Sequence, residues 1–303
     1  MPTVRGDRVG IETTPPGRGC RYSVDVRFLG RMNEEREAHM NKTVLITGAS
    51  RGIGEAFARV YAEKQHNLVL VARSENDLNA LKEDLSSQYG VEVVVLAHDL
   101  TKENEVRQIY EEIEQQNLFI DVLINNAGYG DYGEFVSADW PKLQGMILLN
   151  ISATTHLCHL FLPSMIARGQ GQILNVASTA AFQPGPMMAV YFATKAYVLS
   201  LGEALSAETE GTGVKVSVLC PGPTQSNFIQ NANMDQMALS SDATTDKLPT
   251  ALDVAEYGYK ALNKGEVVAV HGAFNKILTF MPRLTPRGVI RQGVKQFMSS
   301  KEN

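Results

Sequence analysis

Apolar and polar positions follow two alternating patterns from residue 40 onward. Short runs of consecutive apolar, often β-branched residues are followed by longer segments in which apolar residues recur every three or four positions. The runs predict strands buried on both faces, and the longer segments predict helices. The predicted strands are Lys42–Thr47, Asn67–Ala72, Val91–Ala97, Ile120–Asn125, Gln172–Ser178, Val214–Cys220 and Glu266–Val270.

This regular order of strand and helix predicts the fold class. We expect an α/β fold with a single doubly wound parallel sheet of about seven strands, flanked by helices on both faces and Rossmann-like. No second change in composition divides residues 40–303, which predicts one domain there.

Three segments depart from these patterns. Residues 1–39 contain seven arginines, no lysine and no periodic apolar stretch, so we expect a disordered extension or a native start at Met40. Residues 226–250 are polar with interspersed methionine, which is typical of an ordinary surface loop, although the methionines could line a pocket for an apolar group. The tail at 274–300 carries basic residues among apolar ones and predicts helices interrupted by Pro282 and Pro286.

Composition limits the partners. The chain is 44% hydrophobic and 20% charged, with a net charge of −5, so charge gives no reason to expect nucleic acid. No segment approaches the roughly 18 uninterrupted apolar residues of a membrane span. The three cysteines are scattered, which favours a reducing compartment such as the cytoplasm. His156 and His159 flank Cys158, but no second ligand cluster follows, so we expect no metal.

A glycine-rich turn follows the first predicted strand. Thr47 through Gly54 reads TGASRGIG, with glycine at 48, 52 and 54. A dinucleotide needs backbone close to its pyrophosphate and a helix N-terminus directed at it, and glycine permits both. No Gly-Lys-Ser/Thr follows, which argues against a P-loop. The turn therefore predicts a dinucleotide site, although three glycines alone could form a structural turn.

Charge at the second strand favours NADP(H) over NAD. That strand ends Ala72-Arg73-Ser74, where a carboxylate would be expected for a free ribose 2′-hydroxyl. Arg51 lies in the glycine-rich turn, and the two guanidinium groups could pair with a 2′-phosphate. The alternative is that Arg73 is a solvated surface charge.

Tyr191 and Lys195 lie four positions apart in a helical segment and so share a helix face. A neighbouring ammonium lowers the pKa of a phenol and makes it a usable acid or base. Ser178 ends the preceding predicted strand, at the edge where ligands of such sheets bind. The isolated Tyr-x-x-x-Lys pattern is weak, and its position behind the glycine-rich turn and Ser178 gives it weight.

Residues 42–223 resemble the short-chain dehydrogenase/reductase family, in particular its general bacterial reductases. The matching motifs occur in the family's order: TGASRGIG at 47–54, Asp99, Asn125-Asn126-Ala127-Gly128, Asn150, Ser178, Tyr191 with Lys195, and Pro221-Gly222. One departure follows the last motif: where relatives place a threonine on the nicotinamide amide, this chain offers Thr224 or Ser226.

The resemblance implies the roles of these residues. Tyr191 exchanges a proton with the substrate oxygen during hydride transfer, Lys195 binds the ribose and lowers the pKa of Tyr191, Ser178 positions the carbonyl, and Asn150 holds a water linked to Lys195. The implied cofactor site comprises Gly48, Ser50, Arg51, Gly52, Ile53, Gly54, Arg73, Asp99, Leu100, Asn126, Ala127, Gly128, Tyr191, Lys195, Pro221, Gly222, Thr224 and Ser226.

The expected function is an NADP(H)-dependent carbonyl reductase acting on a ketone, aldehyde or 3-ketoacyl group. The alternative is a nucleotide-sensing protein with little turnover, which the intact Ser178, Tyr191 and Lys195 disfavour. The resemblance also implies a mobile substrate-covering segment at 226–250 and a homodimer or homotetramer. For the basic tail, subunit packing and a membrane surface are both open, and we do not favour membrane contact.

Overall fold

The computed structural model describes residues 41–225 and 248–298; the expectations for residues 1–39, for Ser226 and for most of the segment at 226–250 lie outside them. Seven strands form one sheet in this part of the chain, and every strand pair is parallel. The strands are β1 Thr43–Thr47, β2 Asn67–Ala72, β3 Val93–Ala97, β4 Val122–Asn125, β5 Gly171–Val176, β6 Val214–Cys220 and β7 Val268–Val270.

Helices connect the strands in the predicted alternation. They are α1 Gly52–Glu63, α2 Glu75–Tyr89, α3 Glu103–Gln115, α4 Trp140–Ile147, α5 Thr154–Arg168, α6 Ala189–Glu208, α7 Ala251–Lys264, α8 Ala273–Phe280 and α9 Arg287–Met298. A π-helical turn at Leu148–Ala153 joins α4 to α5.

The strand order is β3-β2-β1-β4-β5-β6-β7. The chain moves outward from β1 in one direction and then returns to place β4 on the other side of β1. In such doubly wound sheets, ligands bind beyond the carboxyl ends of the strands where this reversal occurs. The predicted fold is confirmed, and its topology places the candidate site beside the ends of β1 and β4.

Successive side chains of β1 point to opposite faces of the sheet and pack into different apolar clusters. Val44 and Ile46 belong to the apolar cluster under α1, α2 and α7, whereas Leu45 belongs to the cluster under α3 and α5. All five residues of β1 are buried. Continuous apolar strands are required because both faces of the sheet are covered.

One continuous helical run among the described residues, Trp140–Arg168, is long and apolar enough to span a membrane. Leu157, Phe161 and Met165 in this run pack into the core between the sheet and α3. We therefore interpret the run as a core helix of the domain.

Candidate active site

The turn between β1 and α1 depends on glycine at two positions. Gly48 has a φ of +65°, and a Cβ there would lie 2.9 Å from the Ala127 Cα. A Cβ on Gly54 would lie 2.2 Å from the Gly48 carbonyl oxygen, closer than packed atoms allow. The α1 N-terminus that follows has no side-chain cap. Its N–H groups are thus available to an anion at the carboxyl edge of the sheet.

Thr47 connects this turn to the loop after β4. Its Oγ1 accepts hydrogen bonds from the backbone N–H groups of Asn126 and Ala127, each at 3.0 Å. The Asn126 Nδ2 donates in return to the Thr47 carbonyl at 2.9 Å. The structure therefore brings the two predicted cofactor segments together. The sequence reasoning missed the role of Thr47, for which the signal was a hydroxyl at the end of a buried strand.

The two arginines predicted to face the ribose phosphate are both exposed. Arg51 lies 3.7 Å from Asp77 on α2, as a solvent-exposed ion pair of the kind that contributes little stability. Arg73 acts on the pKa of Tyr129, which burial raises and the Arg73 charge lowers.

The predicted adenine contact lies after β3. The Asp99 Oδ1 accepts hydrogen bonds from the N–H and the hydroxyl of Thr101, at 3.1 and 2.8 Å. Leu100 beside it is buried. In the glycine-rich turn, Ser50 and Ile53 are partly exposed, and Ile53 packs against the core. These residues follow the carboxyl ends of β1 and β3, where the adenosine end of the predicted cofactor site lies.

Ser178, Tyr191 and Lys195 meet above the end of β5. The Ser178 hydroxyl hydrogen-bonds to the Tyr191 phenol and accepts the Ala180 N–H at 3.1 Å. The Lys195 Nζ donates to the Val176 carbonyl at 2.8 Å and lies 5.9 Å from the centre of the Tyr191 ring. Both Tyr191 and Lys195 are buried.

Burial determines the ionisation of this group. It raises the pKa of Tyr191 to about 12, and the hydrogen bond with Ser178 opposes this only in part. Burial also lowers the pKa of Lys195 to about 8. The pKa of Tyr191 lies above its ordinary value because loss of hydration around the phenolate is the larger effect, and a lowering by Lys195 stays a prediction. Tyr191 is consequently protonated at neutral pH.

Asn150 lies in the π-helical turn between α4 and α5 and is buried. Its Nδ2 donates to the Tyr129 carbonyl and to the Thr194 Oγ1, both at 3.0 Å, and its Oδ1 accepts the Tyr129 N–H at 3.2 Å. The Thr194 hydroxyl donates to the Tyr191 carbonyl at 2.8 Å. Asn150 thus connects the loop after β4 to the helix that carries Tyr191. π-Helical turns are frequent at functional sites, and neither this turn nor Thr194 was predicted.

Gly128 lets the lysine approach the edge of the sheet. A Cβ on Gly128 would lie 2.9 Å from the Asn150 Oδ1 and 3.3 Å from the Lys195 Nζ. A larger residue would therefore push into both side chains. The predicted Gly128, Asn150 and Lys195 form one contiguous group.

The far end of the site follows β6. The Pro221 carbonyl accepts the Thr179 N–H at 2.9 Å, directly beside Ser178. Gly222 packs against Asn275, and Thr224 is buried with its hydroxyl donating to the Gly222 carbonyl at 2.9 Å. Of the two predicted hydroxyls, Thr224 is placed near the turn, and Ser226 lies outside the described residues.

These residues fit a nicotinamide dinucleotide. The turn at Gly48 and Gly54 brings backbone to the edge of the sheet, and the uncapped α1 N-terminus offers N–H donors for a pyrophosphate. Ser178, Tyr191 and Lys195 lie beyond β5, where the nicotinamide half would extend. No group of three or more metal-ligating side chains occurs at 41–225 or 248–298.

Comparison with known proteins gives the family of the chain. The family model described as short chain dehydrogenase matches residues 42–237, so the chain belongs to the short-chain dehydrogenase/reductase family. It is 32% identical over 260 residues to the ketoacyl reductase HetN of Nostoc sp. strain PCC 7120, covering 82% of this chain and 87% of that protein.

Two solved structures are also similar. A short-chain dehydrogenase from Sphingobium yanoikuyae in complex with NADPH has a TM-score of 0.70 and 30% identity, covering 86% of this chain and 98% of that one. A Burkholderia phymatum family member in complex with NAD has a TM-score of 0.70 and 25% identity, covering 78% and 92%. The chain is therefore an oxidoreductase of CH–OH and C=O groups with a pyridine nucleotide cofactor, and the two similar structures contain NADPH and NAD, respectively.

Proposed function

We propose that this protein is an NADP(H)-dependent carbonyl reductase with Tyr191 as the acid. The buried, protonated phenol beside Ser178 carries the proposal. When bound, the reduced nicotinamide supplies a hydride to the carbonyl carbon. The Tyr191 hydroxyl gives its proton to the carbonyl oxygen, so the carbonyl, the hydride and the proton together become an alcohol.

The other residues position and resupply this proton. Ser178 shares a hydrogen bond with Tyr191, so its hydroxyl also reaches the place that a carbonyl oxygen must occupy. Lys195, with a pKa near 8, can give and regain a proton close to neutrality. Asn150 holds the loop after β4 beside Lys195, which supports a solvent connection there. Each role follows from proximity to the phenol.

NADP(H) is supported by the charges around the adenosine end. Arg51 and Arg73 are exposed cations there, and β2 ends at Ala72 without a carboxylate. Asp77 already pairs with Arg51, at 3.7 Å, and would have to release it to a phosphate. Pairing of guanidinium groups with phosphate is stronger than this exposed ion pair.

The proposed substrate is an apolar ketone, aldehyde or 3-ketoacyl group. A cavity of about 300 Å³ lies beside α6, between the loop after β4 and the residues that precede Tyr191. Leu143, Met146, Met187 and Met188 line one part of it, and charged side chains line another: Asp131, Glu134, Asp139 and Lys142. Methionine adapts to varied apolar shapes, and the similarity to a ketoacyl reductase agrees with this substrate class. We further propose a cytoplasmic homo-oligomer.

The test is oxidation of NADPH and NADH, followed by absorbance, against a panel of ketones, aldehydes and 3-ketoacyl thioesters. We expect turnover with NADPH on an apolar carbonyl, reduced by about 100-fold or more in Tyr191→Phe. The Arg51→Ala/Arg73→Ala variant should lose about tenfold or more in NADPH affinity while NADH affinity stays within twofold. Unchanged NADPH affinity would refute the cofactor assignment. Nucleotide binding without turnover on any carbonyl would favour a sensor.

A further inference from the structure

Helix α8 buries polar side chains and exposes apolar ones, which is the reverse of an ordinary surface helix. Its residues Asn275 and Thr279 face the body of the domain, where Thr279 is only 7% exposed. Phe274 and Ile277 are 71% and 61% exposed. A surface helix normally buries its apolar stripe, so the apolar stripe of α8 is directed outward.

The exposed stripe continues beyond the helix. Four exposed apolar residues stand at positions i, i+3, i+4 and i+7 and so share one helix face: Phe274, Ile277, Leu278 and Met281. Leu284 in the following connection is 72% exposed. The apolar face comprises Phe274, Ile277, Leu278, Met281 and Leu284. Isolated exposed apolar residues are ordinary, but a contiguous group marks an interaction surface.

Cations border the apolar face. Helix α9 packs inward through Ile290, Val294 and Met298, whereas Arg287, Arg291 and Lys295 are exposed at intervals of four on its other side. Arg283 adds a fourth charge beside the face, and Lys276 adds a fifth to the segment, although its ammonium lies 5.8 Å from the centre of the Tyr257 ring on α7. No Asp or Glu occurs in residues 267–298. No carboxylate within the described ranges forms an ion pair with any of these five cations.

The sequence alone did not favour membrane contact, but the outward direction of the apolar stripe changes that interpretation. We propose that the apolar face and the cations beside it dock the protein on an anionic lipid bilayer. Apolar side chains flanked by Lys and Arg are the composition of interfacial helices, which bury their apolar side at the boundary of headgroups and acyl chains. Charge complementarity selects this occupant, because the segment is purely cationic although the chain carries −5 overall.

A second copy of the chain fits the same face poorly. A two-fold interface places a surface against itself. Pairing through α8 would bring two sets of five cations together without a carboxylate in either segment. Such like-charge contact opposes association.

The docking face lies beside the candidate active site. The Tyr132 hydroxyl donates to the Met298 carbonyl at 2.7 Å, and Met298 packs in the apolar cluster that contains Met188 and Tyr191. A cavity of about 290 Å³ separates the turn after Ser178 from α8 and α9. Docking through this face therefore brings the region beside Ser178 close to the bilayer.

Vesicle co-sedimentation of the full chain tests the proposal. We would use vesicles of phosphatidylcholine alone and with 30% phosphatidylglycerol, at low and high salt. Two variants remove the binding groups: Phe274→Ser/Ile277→Ser/Met281→Ser, and Arg287→Gln/Arg291→Gln/Lys295→Gln. Two controls make similar changes at other exposed positions: Leu252→Ser/Val267→Ser, and Lys82→Gln/Arg107→Gln/Lys264→Gln.

We expect binding to the anionic vesicles, weakening with salt, and little binding to phosphatidylcholine. Loss of three cations near the bilayer should reduce affinity on the order of a hundredfold, and the apolar variant should lose about tenfold or more. Both controls and Tyr191→Phe should bind as the wild type does, because binding does not require turnover.

Three results would overturn the proposal. They are no binding of the wild type to anionic vesicles, equal binding by the variants and the wild type, and equal binding to both kinds of vesicle. Sedimentation velocity distinguishes the rival occupant. If the wild type ignores vesicles and the apolar variant alone becomes a smaller species, a second copy covers this face.

Discussion

Lys195 should make the stability of the protein depend on pH in a way that its replacement removes. The amine is buried, and burial lowers its pKa from 10.5 to about 8. Between these values the unfolded chain holds a proton that the folded chain has released. Stability therefore rises with pH across this window, because the unfolded state binds more protons. Below pH 8 the buried ammonium costs stability.

The magnitude follows from the two pKa values. Integrating over protons bound gives a gain of about 2.5 kcal/mol in the free energy of unfolding between pH 7 and pH 10. Lys195→Met keeps the length of the side chain and cannot titrate. Its melting temperature relative to the wild type should therefore fall by about 5 to 10 °C over this pH range, at 2 to 4 °C per kcal/mol for a domain of this size.

The assay is thermal unfolding of both proteins at pH 7, 8, 9 and 10. Comparing the two proteins at each pH cancels the titrating groups that Lys195 does not influence. Comparing across pH removes the constant cost of losing the hydrogen bond to the Val176 carbonyl. Lys82→Met, on the exposed surface of α2, is the matched control and should keep a constant offset. A constant offset for Lys195→Met as well would refute the reasoning about burial.

Three further outcomes are expected. Gly54→Ala should abolish NADPH binding, measured by nucleotide fluorescence, because its Cβ would press on the Gly48 carbonyl; unchanged affinity would contradict this. Tyr191→Phe should reduce kcat by about 100- to 10,000-fold with NADPH affinity within twofold, and a variant with a tenth of normal turnover would exclude the phenol as the acid. Thr194→Val should cost about 1–3 kcal/mol of unfolding free energy in urea, because it leaves a buried Asn150 donor with one partner fewer. Thr194→Ser should restore most of that loss.

The strands were predictable because a strand buried on both faces must be a continuous apolar run. The residues at which the strands begin and end were harder to predict. β5 was predicted to reach Ser178 and ends at Val176, because the Ser178 hydroxyl turns to accept the Ala180 N–H. β4 begins at Val122 rather than Ile120, whose carbonyl accepts instead from Arg168 at 2.8 Å. Side-chain hydrogen bonds of this kind leave no periodic signal.

The site was predictable where spacing alone brings residues together, as for Tyr191 and Lys195. It was not predictable where burial decides the outcome. The pKa of Tyr191 moves upward because the phenol loses its hydration, which no spacing reveals. The periodicity of α8 predicts an apolar stripe but not its direction, which depends on what Asn275 and Thr279 contact.

The π-helical turn at Leu148–Ala153 makes the number of residues in this segment important. A π-helical turn contains one residue more than an α-helical turn. If one residue were deleted there, α4 and α5 could therefore form one continuous α-helix. A single deletion there would leave both helices on their present faces and would carry the Asn150 amide away from Tyr129 and Thr194. A chain shortened by one residue in this turn should therefore keep its folded core. It should lose the hydrogen bonds by which Asn150 connects the loop after β4 to α6, and catalysis should be impaired although the protein folds.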